Sequence, residues 1–291
     1  MRLLLACALG FVAACGGDEE GGSGGGAKTL WFSAIPDQNS TELAEKFGKV
    51  ADYLGKELGV TVKYRAASDY EASYQMFRTG DIHFAWFGGL TGCQARAAVP
   101  GARAIAQGDT GPNFFSYFIA HKDAGIEASE DFPMELSGLT FAFGDEKSTS
   151  GRLMPEFSIK KNAGKSPKEF FEKPFVFSGS HDKTWEMVQS GQVQAGVLNY
   201  AVYDKQVAAG KIDPEVCRIV WKTPTYADYN WTAHPEVEKI LGAGGIDRLQ
   251  KALTAMPKDL LQVFPREKLI PAANEDFQGI ADVAKELNLL R

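Results

Sequence analysis

The sequence of 291 residues has few cysteines, no long hydrophobic run and no excess of positive charge. Four cysteines are too few for a disulfide-rich scaffold, and no apolar run reaches the roughly 18 residues that a membrane-spanning helix needs. A net charge of −6 argues against a nucleic-acid partner, which would require a large basic surface. In contrast, 44% hydrophobic and 11% aromatic residues exclude a mainly disordered chain and supply a core for each of two domains.

The N-terminal segment is predicted to be a targeting sequence followed by a tether. Arg2 precedes an apolar stretch over residues 3–12, and two alanines then lead to Cys15. This order is typical of a bacterial lipoprotein signal, so we expect residues 1–14 to be removed and Cys15 to be lipidated. In the alternative, a plain signal peptide, Cys15 is incidental. Residues 15–27 would then form a lipidated cysteine and a glycine-rich, flexible linker that holds the protein at the membrane.

Beyond the linker, the hydrophobic pattern alternates between strands and helices and predicts an α/β protein with parallel or mixed sheets. The predicted strands are Thr29–Ile35, Val60–Ala66, Ile82–Trp86, Ala102–Ala106, Phe114–Ala120, Leu139–Phe143, Phe175–Phe177, Gln194–Leu198 and Cys217–Trp221. The predicted helices are Thr41–Leu58, Ser68–Arg78, Leu90–Val99, Gly151–Lys161, His181–Ser190 and Val202–Ala209. From Asn230 onward the chain is expected to be mostly helical.

Because the strand–helix pattern starts again near the middle of the chain, we expect two α/β lobes with a ligand cleft between them. Lobe 1 would comprise residues 28–113 and 230–291, and lobe 2 would comprise residues 114–229. Two crossover segments, near residues 111–121 and 222–232, would act as a hinge. The competing arrangement is one continuous sheet without a cleft.

Two cysteines remain in the body of the chain, Cys93 in a predicted helix and Cys217 in a predicted strand. Outside the cytoplasm they could form a disulfide, but we expect two separate thiols because they fall in different halves. No spacing of cysteines, histidines or acids resembles a metal site. Neither a metal nor another cofactor is therefore expected.

The strongest candidate binding segment is the loop from Gly144 to Gly151, which follows a strand and precedes a helix. Ser148, Thr149 and Ser150 place three hydroxyls where the backbone N–H groups of a helix start are unpaired. Such donors can converge on a tetrahedral oxyanion, although an ordinary helix cap would use the same residues. The loop matches neither a Walker A motif nor a nucleophile elbow.

Other polar helix starts follow strands in both halves of the chain and offer Asn39, Tyr70 and Thr91 as ligand-binding residues. His181 opens a further helix, where its ring either faces the cleft or forms a solvated cap. The run Ser180–Asp182 is not a catalytic triad, because consecutive side chains point apart. The polar residues at any one of these helix starts could simply cap the helix or pack in the core. Taken together, the helix starts favour an anion-binding site between the lobes.

These segments resemble the phosphonate/phosphite-type periplasmic substrate-binding proteins of ABC transporters. The resemblance covers about residues 28–290 and is carried by Ser148–Gly151 following Phe141–Gly144. The segments most similar to a subgroup described as selenate-binding are Ile35–Thr41, Ala85–Gly92, Ser148–Pro155, Ser178–His181 and Asp228–Thr232. The resemblance implies a two-lobed periplasmic-binding-protein fold of the type II kind, with a ligand site in the cleft.

The resemblance also assigns roles to individual residues. Ser148, Thr149 and Ser150 would hold the oxyanion, Tyr70 would donate to it from the other lobe, and His181 would lie at the cleft. Two residues depart from the family pattern. Phe114 stands where the family has a second cleft tyrosine. Ala201 stands where the family has an acid that holds the ammonium group of an aminoalkylphosphonate. The missing acid argues against an amine-bearing ligand.

Asp228 lies where the family has a second acid, and its orientation decides the type of ligand. A carboxylate repels a fully ionised dianion such as selenate or sulfate, whereas it can accept a proton carried by phosphate, phosphite or an alkylphosphonate. If Asp228 lines the anion site, a protonated ligand is favoured. If it points away, a dianion resembling selenate is favoured.

We therefore expect a monomeric, lipid-anchored protein outside the cytoplasm that captures a small oxyanion. It would deliver the ligand to the permease and ATPase of an ABC importer, without catalysis. One alternative is a two-lobed enzyme of the thiamine-precursor-synthesis type, which the signal peptide and the missing nucleophile–base pair oppose. The other is a ligand-sensing lipoprotein, which the sequence does not distinguish from an importer component.

Overall fold

A computed structural model describes residues 28–263 and 266–290, which fold around two separate β-sheets. The predicted signal peptide of residues 1–14, the lipidated Cys15 and the linker of residues 15–27 lie outside the described residues. The strands are β1 Thr29–Ala34, β2 Thr61–Tyr64, β3 Phe84–Phe87, β4 Arg103–Gly108, β5 Ser116–His121, β6 Phe141–Phe143, β7 Val176–Phe177, β8 Ala195–Asn199, β9 Cys217–Lys222, β10 Asn230–Ala233 and β11 Leu269–Pro271. The α-helices are α1 Ser40–Leu58, α2 Tyr70–Thr79, α3 Gly89–Ala98, α4 Met154–Ala163, α5 Pro167–Phe170, α6 His181–Gln189, α7 Tyr200–Ala208, α8 Glu236–Leu241, α9 Gly245–Thr254 and α10 Gln278–Glu286.

The first sheet has six strands in the order β11-β4-β10-β3-β1-β2. In it, β1 pairs in parallel with β2 and β3, whereas β10 lies antiparallel between β3 and β4. We call this sheet, with helices α1–α3 and α8–α10 packed around it, lobe 1. Its core is rich in stacked aromatic rings, among them Phe32, Phe47, Phe84 and Trp231.

The second sheet has five strands in the order β7-β6-β8-β5-β9. Here β6 is parallel to β7 and β8, and β5 is antiparallel to β8 and β9. We call this sheet, with α4–α7, lobe 2; separate buried clusters cover its two faces. Two sheets with their own cores make the alternative of one continuous sheet wrong and confirm the predicted two-lobed α/β fold.

The chain from Asn230 onward departs from the prediction of a mostly helical tail. Residues 230–233 form β10, a central strand of lobe 1 in which all four residues are buried. A strand that is covered on both faces loses the apolar–polar alternation by which strands are recognised in a sequence. The later residues 269–271 add the short edge strand β11. The rest of the tail contributes the helices α8, α9 and α10.

The chain crosses between the lobes twice, over residues 109–115 and 223–229. The two crossovers pair with each other, because the N–H of Phe114 donates to the Tyr226 carbonyl (2.9 Å) and the N–H of Tyr226 donates back (2.8 Å). The predicted crossovers extended too far, since residues 116–121 are strand β5 and residues 230–232 belong to β10. A paired two-stranded connection therefore joins the lobes, and we call residues 109–115 and 223–229 the hinge segment.

Helix α1 shows how the local sequence positions the edge of the cleft. The Asn39 side chain accepts hydrogen bonds from the N–H groups of Thr41 and Glu42, both at 3.1 Å, and so caps the helix. Apolar residues three and four apart bury one face in lobe 1. The helix ends at Gly59, whose positive φ of 66° suits glycine. The predicted helix over Thr41–Leu58 is thus confirmed.

The two cysteines are free thiols, as expected. Cys93 is buried in α3 of lobe 1, and Cys217 is buried at the start of β9 in lobe 2. Within residues 28–263 and 266–290, no helix combines the length and the apolar character that a membrane span requires.

Candidate functional site

Helix starts from both lobes meet where the lobes contact each other. The N–H of Leu90, in α3 of lobe 1, donates to the Thr149 hydroxyl of lobe 2 at 2.9 Å. Next to it, the Thr91 hydroxyl donates to the Lys147 carbonyl at 3.0 Å. The structure therefore brings the glycine turn before α3 against the serine-rich loop that sequence analysis singled out.

The serine-rich loop enters its helix through a wide π-helical turn, Thr149–Leu153, rather than directly as the predicted helix Gly151–Lys161. Ser148 caps this turn, with its hydroxyl accepting from the N–H of Gly151 at 2.9 Å. Gly144 and Gly151 touch along their backbones, and a Cβ on Gly151 would lie 2.9 Å from the Gly144 Cα. Only glycine fits this close approach. The turn leaves Ser148, Thr149 and Ser150 buried, side by side, at the lobe contact.

Tyr70 and His181 flank this loop from opposite lobes. Tyr70, the first residue of α2, is buried close to Ser148, and burial holds the pKa of its phenol well above the ordinary value. It therefore stays protonated and able to donate. In lobe 2, His181 Nε2 lies 3.4 Å from the Ser150 hydroxyl.

His181 is only 1% exposed, which excludes the solvated cap and places its ring in the cleft. Burial lowers its pKa to about 4, so the imidazole is neutral at ordinary pH. Its Nδ1 is buried and has no hydrogen-bond partner among the described residues. A neutral ring with an unused nitrogen can still donate or accept one hydrogen bond to a ligand.

Asp228 lines the same site. Its Oδ1 accepts the N–H of Gly89 at 2.9 Å, and its carboxylate lies within hydrogen-bonding reach of Thr149. A Cβ on Gly88 would meet both the Thr149 hydroxyl (3.1 Å) and Asp228 Oδ1 (3.3 Å), so the two side chains converge on this glycine. Oδ2 is buried without a hydrogen-bond partner in the part of the chain that the structure describes. Burial raises the pKa of Asp228 to about 6.

An aromatic wall closes the side of the site that faces the hinge. Phe114 is fully buried and packs edge-on against Tyr229, with ring centroids 5.4 Å apart. Arg266 lies behind the wall, 5.0 Å from the Phe114 ring and 5.7 Å from the Tyr229 ring. Its positive charge lowers the pKa of Asp228 and partly offsets the effect of burial.

Two predicted ligand-binding residues have other contacts. The Asn39 side chain caps α1 at an exposed position, so it lies outside the buried cluster. The Thr91 hydroxyl is buried but bonds the Lys147 carbonyl, which fastens the lobes together. The other predicted residues, Tyr70, Ser148, Thr149, Ser150, His181 and Asp228, lie together.

Three further residues near the site, Asp37, Tyr229 and Arg266, were not among the predicted binding residues. Asp37 is buried and accepts a 2.6 Å hydrogen bond from the Tyr229 hydroxyl. The available signal for Asp37 was a polar residue three positions beyond the end of the buried strand β1. Within the described ranges, no group of three or more histidines, cysteines or acids has an arrangement that could hold a metal ion.

The raised pKa of Asp228 predicts how the stability of the ligand-free protein depends on pH. The carboxyl titrates near its ordinary 3.8 when unfolded and at about 6 when folded, so its contribution to the free energy of unfolding is full below pH 3.8. That contribution, about 3 kcal/mol, is lost as pH rises through about 6. His181 acts oppositely: its contribution is full above pH 6.5 and lost as pH falls through about 4.

The Asp228→Asn variant isolates this effect, because Asp37 and His181 titrate in both proteins. Denaturant unfolding of both proteins between pH 4 and pH 7 measures the difference in their free energies of unfolding. The wild type is expected to lose about 2 kcal/mol relative to the variant over this interval, because the unfolded carboxyl is already partly ionised at pH 4. A constant difference would show that Asp228 has an ordinary pKa in the folded protein.

Comparison with known proteins identifies the family. Residues 32–277 match the family of phosphonate periplasmic substrate-binding proteins of ABC transporters. A probable ABC transporter phosphite binding protein, PhnD1 of Prochlorococcus marinus (strain MIT 9301), is 36% identical over 272 residues, which are 91% of each chain. A solved structure of PhnD1 from that organism in complex with methylphosphonate has a TM-score of 0.85 and 34% identity, and covers 90% of this chain and 99% of that one.

The fold is shared more widely. A binding protein component of an ABC phosphonate transporter from Pseudomonas aeruginosa is 20% identical, with a TM-score of 0.76 over 89% of this chain and 86% of that one. The architecture is thus that of the periplasmic binding proteins, and the relatives bind substrates for transport rather than convert them. The chain therefore belongs to the phosphonate family of periplasmic substrate-binding proteins of ABC transporters, and it is not an enzyme.

Proposed function

We propose that this protein binds a small oxyanion that carries a proton, of the phosphite, phosphate or alkylphosphonate class, in the buried site between its lobes. The observation that carries the proposal is Asp228, whose carboxylate lies beside Thr149 with one oxygen unpartnered. Such a carboxylate can accept the proton of a protonated ligand in a charge-assisted hydrogen bond. Selenate and sulfate carry no proton at neutral pH, and the same carboxylate would repel them.

Neutral donors from both lobes are buried near Asp228. Lobe 1 supplies the Tyr70 phenol. Lobe 2 supplies the N–H groups of the π-helical turn and the hydroxyls of Ser148, Thr149 and Ser150. About six hydrogen bonds to an anion, at roughly 1.5–3 kcal/mol each, exceed the roughly 8 kcal/mol of micromolar binding. The excess covers the ordering of the site and the closure of the lobes.

The remaining wall of the site favours a ligand with a small, apolar substituent or none. Phe114 offers a ring where the family has a tyrosine, so no hydroxyl faces the ligand there. Ala201, buried at the second position of α7, provides no carboxylate for an ammonium group. In agreement, the Prochlorococcus relative is described as a probable phosphite binding protein, and the solved structure of PhnD1 from that organism is a complex with methylphosphonate.

A calorimetric panel on the mature protein tests this proposal. At neutral pH, phosphite and methylphosphonate are expected to bind at least about tenfold more tightly than selenate or sulfate, since each of the latter loses a charge-assisted hydrogen bond and gains repulsion. Aminoethylphosphonate is not expected to be the tightest ligand, because Ala201 removes an ammonium partner. A selenate or sulfate affinity above that of phosphite would overturn the proposal.

We further propose a lipid-anchored, monomeric protein outside the cytoplasm, where substrate-binding proteins of ABC importers act. Cys15 would carry the lipid after removal of residues 1–14, as the signal pattern indicates. The mass of the mature N-terminal peptide tests this anchor.

We also propose that lobe 1 comprises residues 28–113 and 230–291 and that lobe 2 comprises residues 114–229. The two lobes would move relative to each other about the paired crossovers. The partners of the protein would be the permease and ATPase of the importer.

A further inference from the structure

Asp37 is a buried carboxylate that joins both lobes and the hinge. It follows β1 of lobe 1 and is 4% exposed. Its Oδ2 accepts from the hydroxyl of Tyr229, in the second crossover, at 2.6 Å. The same hydroxyl accepts from the Nδ2 of Asn199, the cap of α7 in lobe 2, at 3.0 Å. One chain of hydrogen bonds therefore connects lobe 2 to lobe 1 through a hinge residue.

The backbone beside Asp37 makes two further contacts with lobe 2. The Asp37 carbonyl accepts the N–H of His181 at 3.0 Å, which ties it to the residue that faces the ligand site. Two residues on, the N–H of Asn39 donates to Asp182 Oδ2 at 2.9 Å. These contacts join the start of α6 to lobe 1. They can exist only when the lobes are closed on each other.

We propose that Asp37 is a positioning residue that holds the lobes closed over the ligand and holds His181 in place, without itself touching the ligand. This inference rests on the proposed ligand site between the lobes. Asp37 would then set how long the ligand stays bound. The rate at which the ligand reaches the open site would depend on it much less.

The physical argument is the burial of the carboxylate. A carboxylate removed from water is costly unless donors compensate it, and the Tyr229 hydroxyl is the donor that compensates Asp37; the bond held in this way leaves that hydroxyl oriented to accept from Asn199 of lobe 2. Burial raises the pKa of Asp37 to about 6, with a further increase from the neighbouring charge of Asp182. The Tyr229 ring is also fixed by stacking on Trp86 of β3, with centroids 5.4 Å apart and planes at 7°. The donor is therefore oriented before the lobes close, which favours closure.

Stopped-flow binding of methylphosphonate, followed by tryptophan fluorescence, tests the proposal in the mature protein. Asp37→Ala and Tyr229→Phe are each expected to raise koff by about tenfold to a hundredfold while kon changes much less. Asp37→Asn is expected to restore most of the lost residence time, because its amide oxygen can still accept from Tyr229. The combined Asp37→Ala and Tyr229→Phe variant should be no worse than the poorer single variant, since each single substitution already breaks the Asp37–Tyr229 hydrogen bond. Asp52→Ala, at an exposed position of α1, is the matched control and should bind as the wild type does.

A merely structural role for Asp37 predicts a different result. Thermal stability would then fall in the variants, but koff of the folded protein would stay unchanged, and that outcome overturns the proposal. Additive effects in the double variant would overturn it as well. If the wild type binds no member of the ligand panel, the proposed function fails, and small-angle X-ray scattering decides the present inference. A more open Tyr229→Phe protein would then support it, and identical scattering curves would overturn it.

Discussion

Replacing Ser148, Thr149 and Ser150 together by alanine is expected to abolish detectable binding of phosphite and methylphosphonate. The three hydroxyls are buried at the contact between the lobes, where Tyr70 and His181 also converge. Each hydroxyl that donates to an anion contributes roughly 1.5–3 kcal/mol, so the loss of three removes about 4.5–9 kcal/mol, which is most or all of the roughly 8 kcal/mol of micromolar binding. Thr149→Ala alone should weaken binding by about tenfold to a hundredfold.

The folding of this triple variant should suffer far less than its binding. Ser148 caps the π-helical turn, and a lost cap costs about 1 kcal/mol. Thr149 also accepts the cross-lobe hydrogen bond from Leu90, whose loss weakens closure rather than the lobes themselves. Thermal melts with and without ligand separate the two effects, because a bound ligand raises the melting temperature by mass action.

Ser166→Ala is the matched control for the triple variant. Ser166 caps the short helix α5 in lobe 2, and its N–H and hydroxyl both donate to Glu169. Its loss should lower stability by a similar amount and leave the ligand-induced rise in melting temperature intact. A triple variant that keeps the wild-type ligand-induced rise would place the anion site elsewhere in the molecule.

The residues of the site that lie at the start of a helix could be predicted from the nearby sequence. The strand–loop–helix order around Ser148 predicted where three hydroxyls would meet unpaired backbone donors, and the structure buries them together. The apolar residues three and four apart likewise predicted a helix over Thr41–Leu58, which starts within one residue of the observed α1. These features depend only on residues that are close in the chain, so they can be predicted from one sequence.

Features that depend on distant partners could not be predicted in this way. Tyr229 and Asp37 are 192 positions apart in the chain, so no spacing shows that they bond. The strand β10 is buried on both faces, which removes its alternating pattern. The orientation of Asp228 is set by the N–H of Gly89, at the start of a helix in lobe 1. Its position at the site therefore became visible only in the fold.

That orientation makes Asp228 the residue on which ligand selectivity depends, and Asp228→Asn is expected to reverse the selectivity. An amide in place of the carboxylate removes a full negative charge next to the ligand and supplies an N–H donor. Sulfate and selenate should then bind about tenfold to a hundredfold more tightly, since repulsion is replaced by a hydrogen bond. Phosphite and methylphosphonate should bind more weakly by a similar factor, because their proton loses a charged acceptor.

Isothermal titration of the wild type and Asp228→Asn with phosphite and sulfate at one pH and ionic strength measures this reversal as a ratio of dissociation constants. The amide oxygen of the variant can still accept the N–H of Gly89, so the loop should keep its conformation. Asp204→Asn, an exposed acid on α7, removes the same charge without a contact at the site and should leave the ratio unchanged. An unchanged ratio in Asp228→Asn as well would mean that the carboxylate accepts no ligand proton. Discrimination between phosphite and sulfate would then have to come from the shape of the Phe114 wall.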